Sequence, residues 1–256
     1  MYIFVKAFIK AYWKTLLFFV LVGLVGGYTV GIYQLESYPA ELVQELYAQG
    51  LNDTLIGLVT AVQSAGYGLV LGTMGIWLGK KAGLWKDERS IAKRPLLAAA
   101  AISVIGGMGL ILPDLLFFGK YEPALLDMYA VKPTITYLLA TVTYGAVIEE
   151  VMLRLFMMSL VALILHKLFE RKRERVSTVV LAAANVMSAL LFAAGHLPGN
   201  DMMFGLSPMI VFRCMLLNGG FGLAFGWLCR RFGLRYAMIA HGGCHVVSKL
   251  IWILLI

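Results

Sequence analysis

From Trp13 to Ile256 the chain repeats one pattern, an apolar run of about 20 residues followed by a short polar turn. A run of that length crosses a ~30 Å hydrocarbon core as an α-helix, which satisfies every backbone polar group within its own segment. Seven such runs are legible, at about 13–33, 54–79, 95–118, 134–165, 176–196, 207–229 and 236–256. An eighth, hidden in a connection, would return both ends of the chain to one side. With 61% hydrophobic and 14% charged residues, the chain has no long polar stretch that could house a soluble domain. The expectation is an all-α polytopic transmembrane helical bundle, a single integral membrane domain over residues 1–256.

The formal charge of +8 does not mark a nucleic-acid partner, because the basic residues sit in short clusters between apolar runs. That is how membrane orientation is encoded. The clusters are Lys6–Lys14, Lys80–Arg94, Lys167–Arg175 and Arg230–Arg235. Placing the N-terminus in the cytoplasm puts 17 Lys/Arg inside, 2 outside (Lys120 and Lys132) and 3 within spans. Residues 34–53 carry Glu36, Glu41, Glu45 and Asp53 with no basic residue, and Leu42, Val43, Leu46 and Tyr47 share one helical face. A short helix along the outer interface is expected there. Gly23, Gly27 and Gly31 recur every fourth residue and predict close packing of another helix on the first span. The first apolar run is too long for a cleavable signal peptide, and Cys214, Cys229 and Cys244 imply no disulfide framework. The compact chain suits a prokaryotic cell membrane, and nothing in it fixes an oligomeric state.

The fourth run contains Glu149, Glu150 and Arg154. Each such charge costs roughly 2.5–3.5 kcal/mol at a span centre, so together they mark a functional site. Glu150 and Arg154 are four apart and can pair on one face, leaving Glu149 free for chemistry. Partners are scarce. His166 adjoins Lys167 at a span end and reads as structural. His196 closes the fifth run, and His241 and His245 share a face of the seventh. Glutamate and histidine in a dry pocket suit peptide hydrolysis, with a carboxylate as general base and imidazoles donating to an oxyanion. Glu149, His196, His241 and His245 could equally ligate Zn²⁺, although no His-Glu-x-x-His pattern occurs. Of the other polar residues in the runs, Asp114 is expected to reach the outer interface. Arg213 and Lys249 should line a cavity or snorkel, and Asn185 and Ser188 should bond neighbouring helices.

Glu149-Glu150-x-x-x-Arg154, Phe192-x-x-x-His196 and His241-x-x-x-His245, in that order, resemble the three motifs of the CPBP intramembrane proteases. That family includes type II CAAX prenyl endopeptidases and Abi-type bacteriocin-processing and immunity proteins. Gly222-Leu-Ala-Phe-Gly226-Trp227-Leu228, the turn to Gly233 and Ala240-His241 are similar to its approach to the last motif. The resemblance covers about residues 134–250. It implies that Glu149 activates water with help from His196, that Glu150 and Arg154 support the site, and that His241 stabilises the oxyanion or completes a metal site. The residue four after it would share that role. There the family usually has Asn and this chain has His245, which can donate, titrate or ligate a metal. The family is described both as metalloprotease and as glutamate-dependent protease, so it does not decide on zinc.

The expected function is therefore an intramembrane endopeptidase acting on a membrane-associated peptide or lipidated protein, of prenylated CAAX type or leader- or pheromone-like, entering from the membrane or the cytoplasmic face. Two other classes fit the same residues. One is a proton- or ion-coupled transporter, against which the lack of inverted repeats counts. The other is a non-catalytic immunity or scaffold protein of the Abi type. Helix rise adds a tension. His241 follows Arg235 by six residues, roughly 9 Å, whereas Glu149 lies 18 residues, roughly 27 Å, from the Lys167 cluster. A shared site requires the fourth and fifth spans to tilt or to protrude.

Overall fold

The computed structural model describes residues 2–87 and 90–256, and among them it contains helices and no strand. Arg89, counted above in a basic turn, lies outside the described residues. The elements are α1 (Tyr2–Ser37), α2 (Ala40–Ala48), α3 (Asp53–Ala82), α4 (Lys93–Leu116), α5 (Ala124–Tyr129) and α6 (Ile135–Ala140). Two π-helical segments follow, Thr141–Glu149 and Val151–Met157, and then α7 (Met158–Phe169), α8 (Thr178–Gly195), α9 (Leu197–Phe204), α10 (Pro208–Phe232) and α11 (Leu234–Leu255). Among the described residues, six helices are long and apolar enough to cross a membrane. The continuous helical run from α6 through the π segments to α7 adds a long apolar stretch that carries Glu149, Glu150 and Arg154. The chain is an integral, multi-pass membrane protein. The apolar patterning is all-round rather than one-sided, and large side chains such as Leu97, Ile105 and Val62 remain exposed on the outside, as lipid contact requires.

Local chemistry sets the ends. The side chains of Asn52, Thr134, Ser177 and Ser207 cap α3, α6, α8 and α10 by accepting from the amide three residues on. Gly83 ends α3 in the left-handed conformation (φ 74°), a backbone state that other residues rarely adopt. The acidic connection does fold as a short helix, α2.

The helices pack in pairs, α1 with α3, α4 with α11 and α8 with α10, around the π-helical run in the middle. The first pair uses the small-residue face. A β-carbon on Gly23 would come within 2.8 Å of the Ser64 carbonyl, and Gly27 packs on Thr60 and Ser64. Asn185 donates to the Leu223 carbonyl and Ser188 to that of Leu153, bonding neighbouring elements as expected.

The basic turns meet at one end of the bundle. Lys86 donates to the Arg231 carbonyl (3.2 Å), Arg235 to that of Ser90 (2.8 Å) and Arg230 to that of Thr178 (3.2 Å). At the other end, Thr134 donates to Glu36 (2.9 Å) and Lys132 to the Trp252 carbonyl (3.3 Å). Asp114 is a correction. It is fully buried there rather than at the interface, held by Arg213 (2.5 and 2.6 Å) and by the Tyr129 hydroxyl (2.9 Å). An isolated carboxylate could not persist at that depth, and the guanidinium supplies two charge-assisted bonds.

Candidate active site

The glutamates lie where the central helix is wound with i→i+5 hydrogen bonds, a rare geometry often associated with functional sites. Gly145 precedes Glu149 by one turn and faces the same way. A β-carbon built on it would have three polar atoms as its nearest neighbours. These are His241 Nε2 and His245 Nε2, each at 3.7 Å, and Glu149 Oε2 at 3.9 Å. Three motif residues from two elements thus surround one small open volume, and the glycine keeps it open.

The two glutamates have different surroundings. Glu149 is 20% exposed and its Oε2 lies 3.9 Å from His241 Nε2. Glu150 is fully buried, and its Oε1 lies 2.9 Å from His241 Nδ1 and 3.3 Å from Arg154 NH1. The Arg154 contact is an ion pair without hydrogen-bond geometry, since neither terminal nitrogen of the guanidinium has a hydrogen-bond partner among the described residues. Its planar cation rests instead on aromatic faces, 4.3 Å from the Phe192 ring centre and 5.6 Å from that of Phe225. Phe225 also stacks on His241, with ring centres 4.6 Å apart and planes 17° from parallel. A buried carboxylate, a guanidinium and two aromatic rings thus lock the His241 imidazole.

Hydrogen-bond partners assign the protons on the three imidazoles. His241 Nδ1 faces a carboxylate oxygen and donates to it, so in the neutral ring Nε2 presents a lone pair to Glu149. His196 Nδ1 faces the Phe192 carbonyl at 2.8 Å and must also donate. His245 is the reverse. Its Nδ1 faces Lys249 Nζ at 3.3 Å; with the lysine donating, the ring accepts there and carries its proton on Nε2, the atom beside the open volume. Lys249 is itself buried, with its Nζ 3.8 Å above the Tyr137 ring.

Glu149, His196, His241, His245 and Lys249 line one cavity of about 630 Å³, within the roughly 300–1,000 Å³ usual for ligand sites. Arg154 does not reach it and lies beneath. His196 enters at the joint between α8 and α9, where Pro198 starts a short second helix rather than a loop. Among the described residues, no three His, Cys, Asp or Glu side chains are grouped so as to hold a metal ion. As they stand, these side chains are not grouped as a zinc cage.

Residues 131–247 match the family model described as type II CAAX prenyl endopeptidase Rce1-like. This region belongs to that family. The Rce1-like match makes the protein a membrane peptidase of the CAAX-protease kind in general terms, with a peptide or protein as substrate. Comparison with curated proteins and with solved structures gives no match. The Rce1-like region takes in all three motifs and leaves α1 to α5 outside it.

Sequence reasoning paired Glu150 with Arg154 but missed Glu150 as the partner of His241, because two spans 91 residues apart give no local signal. It noted Phe225 only as part of a family-like run, and nothing in the apolar run distinguishes Gly145. Lys249 was detectable, being a cation four residues after His245 within a span.

Proposed function

We propose that the protein is an intramembrane endopeptidase in which Glu149 is the general base on water. The observation that carries this is the convergence of Glu149, His241 and His245 on the volume left by Gly145. Two acceptors 3.9 Å apart, Glu149 Oε2 and His241 Nε2, can both take a hydrogen bond from one water oxygen placed about 2.8 Å from each. That water keeps a lone pair free for a carbonyl carbon. On attack its proton passes to Glu149, and the carbonyl oxygen becomes an oxyanion within reach of the His245 Nε2 proton. Collapse breaks the C–N bond, and Glu149 returns the proton to the leaving amine, so one water is consumed per bond cut. His196 lines the same cavity and assists water activation. Glu150 and Arg154 are positioning residues acting through His241. The substrate is an extended, membrane-associated segment, either a prenylated CAAX tail or a leader- or pheromone-like peptide, and the apolar wall (Leu110, Ile111, Met152, Phe221) would take its apolar flank.

The test is cleavage of a fluorogenic membrane-associated peptide by the purified protein. Glu149→Gln, verified as folded, should abolish turnover, and chelation should leave the native enzyme unchanged. Cleavage by Glu149→Gln at the native rate would sink the assignment. Loss on chelation with recovery on Zn²⁺ would replace the metal-free mechanism by the zinc one. A cellular phenotype rescued by Glu149→Gln would favour a non-catalytic immunity or scaffold role, and pH-driven flux in liposomes a transporter.

A further inference from the structure

The described residues that line the cavity lie towards one end of the bundle. Its walls reach Gln34 and Tyr38 after the first span, Met128 in α5, and Pro198, Met202 and Phe204 in α9. None of its lining residues comes from the described residues of the turns 80–92, 166–177 or 229–236. Those turns meet at the opposite end through the Lys86, Arg235 and Arg230 bonds. Between them and the site lies a dry floor of Ile148, Val151, Leu155, Ala237 and the guanidinium of Arg154, each 1% exposed or less. Water and substrate therefore reach Glu149 from the end that carries Glu36, Glu41, Glu45 and Asp53, and not through the basic end.

The basic turns belong in the cytoplasm. The bias is large, because the two turns 80–94 and 167–175 carry eleven Lys/Arg and the connections at the mouth end carry Lys120 and Lys132. Combining the two observations, we infer that the mouth of the site faces away from the cytoplasm. Resting on the peptidase reading above, this selects the substrate class. The site would receive a peptide segment exposed on the outer side of the membrane after translocation, with its apolar flank in the bilayer. A lipidated tail that never leaves the cytoplasm would meet the closed floor. The expectation of entry from the cytoplasmic face is thereby replaced.

Labelling from outside intact cells tests this directly, and the native cysteines give little background because all three are buried. Met202→Cys lies exposed at the mouth and Lys172→Cys lies exposed on the basic hairpin. A membrane-impermeant maleimide should label Met202→Cys in intact cells and Lys172→Cys only after permeabilisation. The inverse pattern would overturn the inference. A fluorogenic peptide with an apolar flank, impermeant and added outside, should be cut by intact cells expressing the native protein and at least tenfold less by those expressing Glu149→Gln. Cleavage in detergent together with inverse labelling sinks the orientation and spares the peptidase. Outer labelling at Met202→Cys with no cleavage in detergent or in cells sinks the peptidase and spares the orientation.

Discussion

At the scale of single residues, Lys249 decides what His245 can do. An imidazole that accepts from the lysine at Nδ1 is a donor on its far side, and a donor is what an oxyanion needs. Lys249→Met should lower kcat about 10²-fold, the magnitude typical of losing one oxyanion donor. On a His245→Asn background the same change should be nearly silent, because an amide donates without a tautomer to fix. Initial rates for the four proteins in one detergent give the answer, and an equal loss on both backgrounds would assign Lys249 a packing role. Gly145→Ala tests the open volume itself. The new methyl would sit at ordinary van der Waals distance, 3.7–3.9 Å from its neighbours, so folding should be unaffected. It would occupy the space proposed for the reacting atoms, and kcat/KM should fall at least tenfold with an unchanged melting temperature.

At the scale of elements, much was legible because helices announce themselves locally. Apolar runs and basic turns gave the spans to within a few residues, except that α1 starts eleven residues before the first run, and the i,i+4 rule found Glu150 with Arg154 and His241 with His245. What stayed hidden depends on how helices wind and meet. The π-helical stretch has no sequence signature, yet it puts Gly145 and Glu149 on the face turned to α11. The break after His196 was readable from Pro198 and Gly199, but its refolding as α9 was not. The α7–α8 hairpin supplies a pH prediction outside the spans. The Ser177 hydroxyl and amide, with His166 and Arg173, hold the Glu170 carboxyl below the usual carboxylate range. A depressed value in the folded state means that this contribution is complete above the ordinary carboxylate pKa and is lost as pH falls through the lowered one. The amide-exchange protection factors of residues 166–177, relative to the intrinsic rates at each pH, should therefore fall in acid, and Glu170→Gln should lower them at neutral pH and flatten that dependence. An acid response identical in the variant would assign it to another group.

At the scale of the whole molecule, charge is sorted by end and by depth. Exposed cations gather at the closed end, and two buried ion pairs brace the interior, Glu150 with Arg154 under the site and Asp114 with Arg213 near the mouth. The second pair joins α4 to α10, with Tyr129 of α5 completing it, so it ties elements outside the family-matched region to elements within it. This explains how the first 130 residues, which carry none of the three motifs, still bear on the cavity. A buried pair contributes little net stability, because desolvation offsets most of the attraction, but removing one partner strands the other. Asp114→Ala should accordingly destabilise the protein by about 3–5 kcal/mol. Arg213→Met on top of it should recover much of that loss, since no charge is then left buried. The cycle is read from thermal unfolding of the four proteins in one detergent, where coupled neighbours depart from additivity. Additive losses would mean that the two side chains act independently and that the mouth is held by packing alone. Recovery of stability without recovery of peptide cleavage would mean that the pair also sets the shape of the entrance that the substrate must pass.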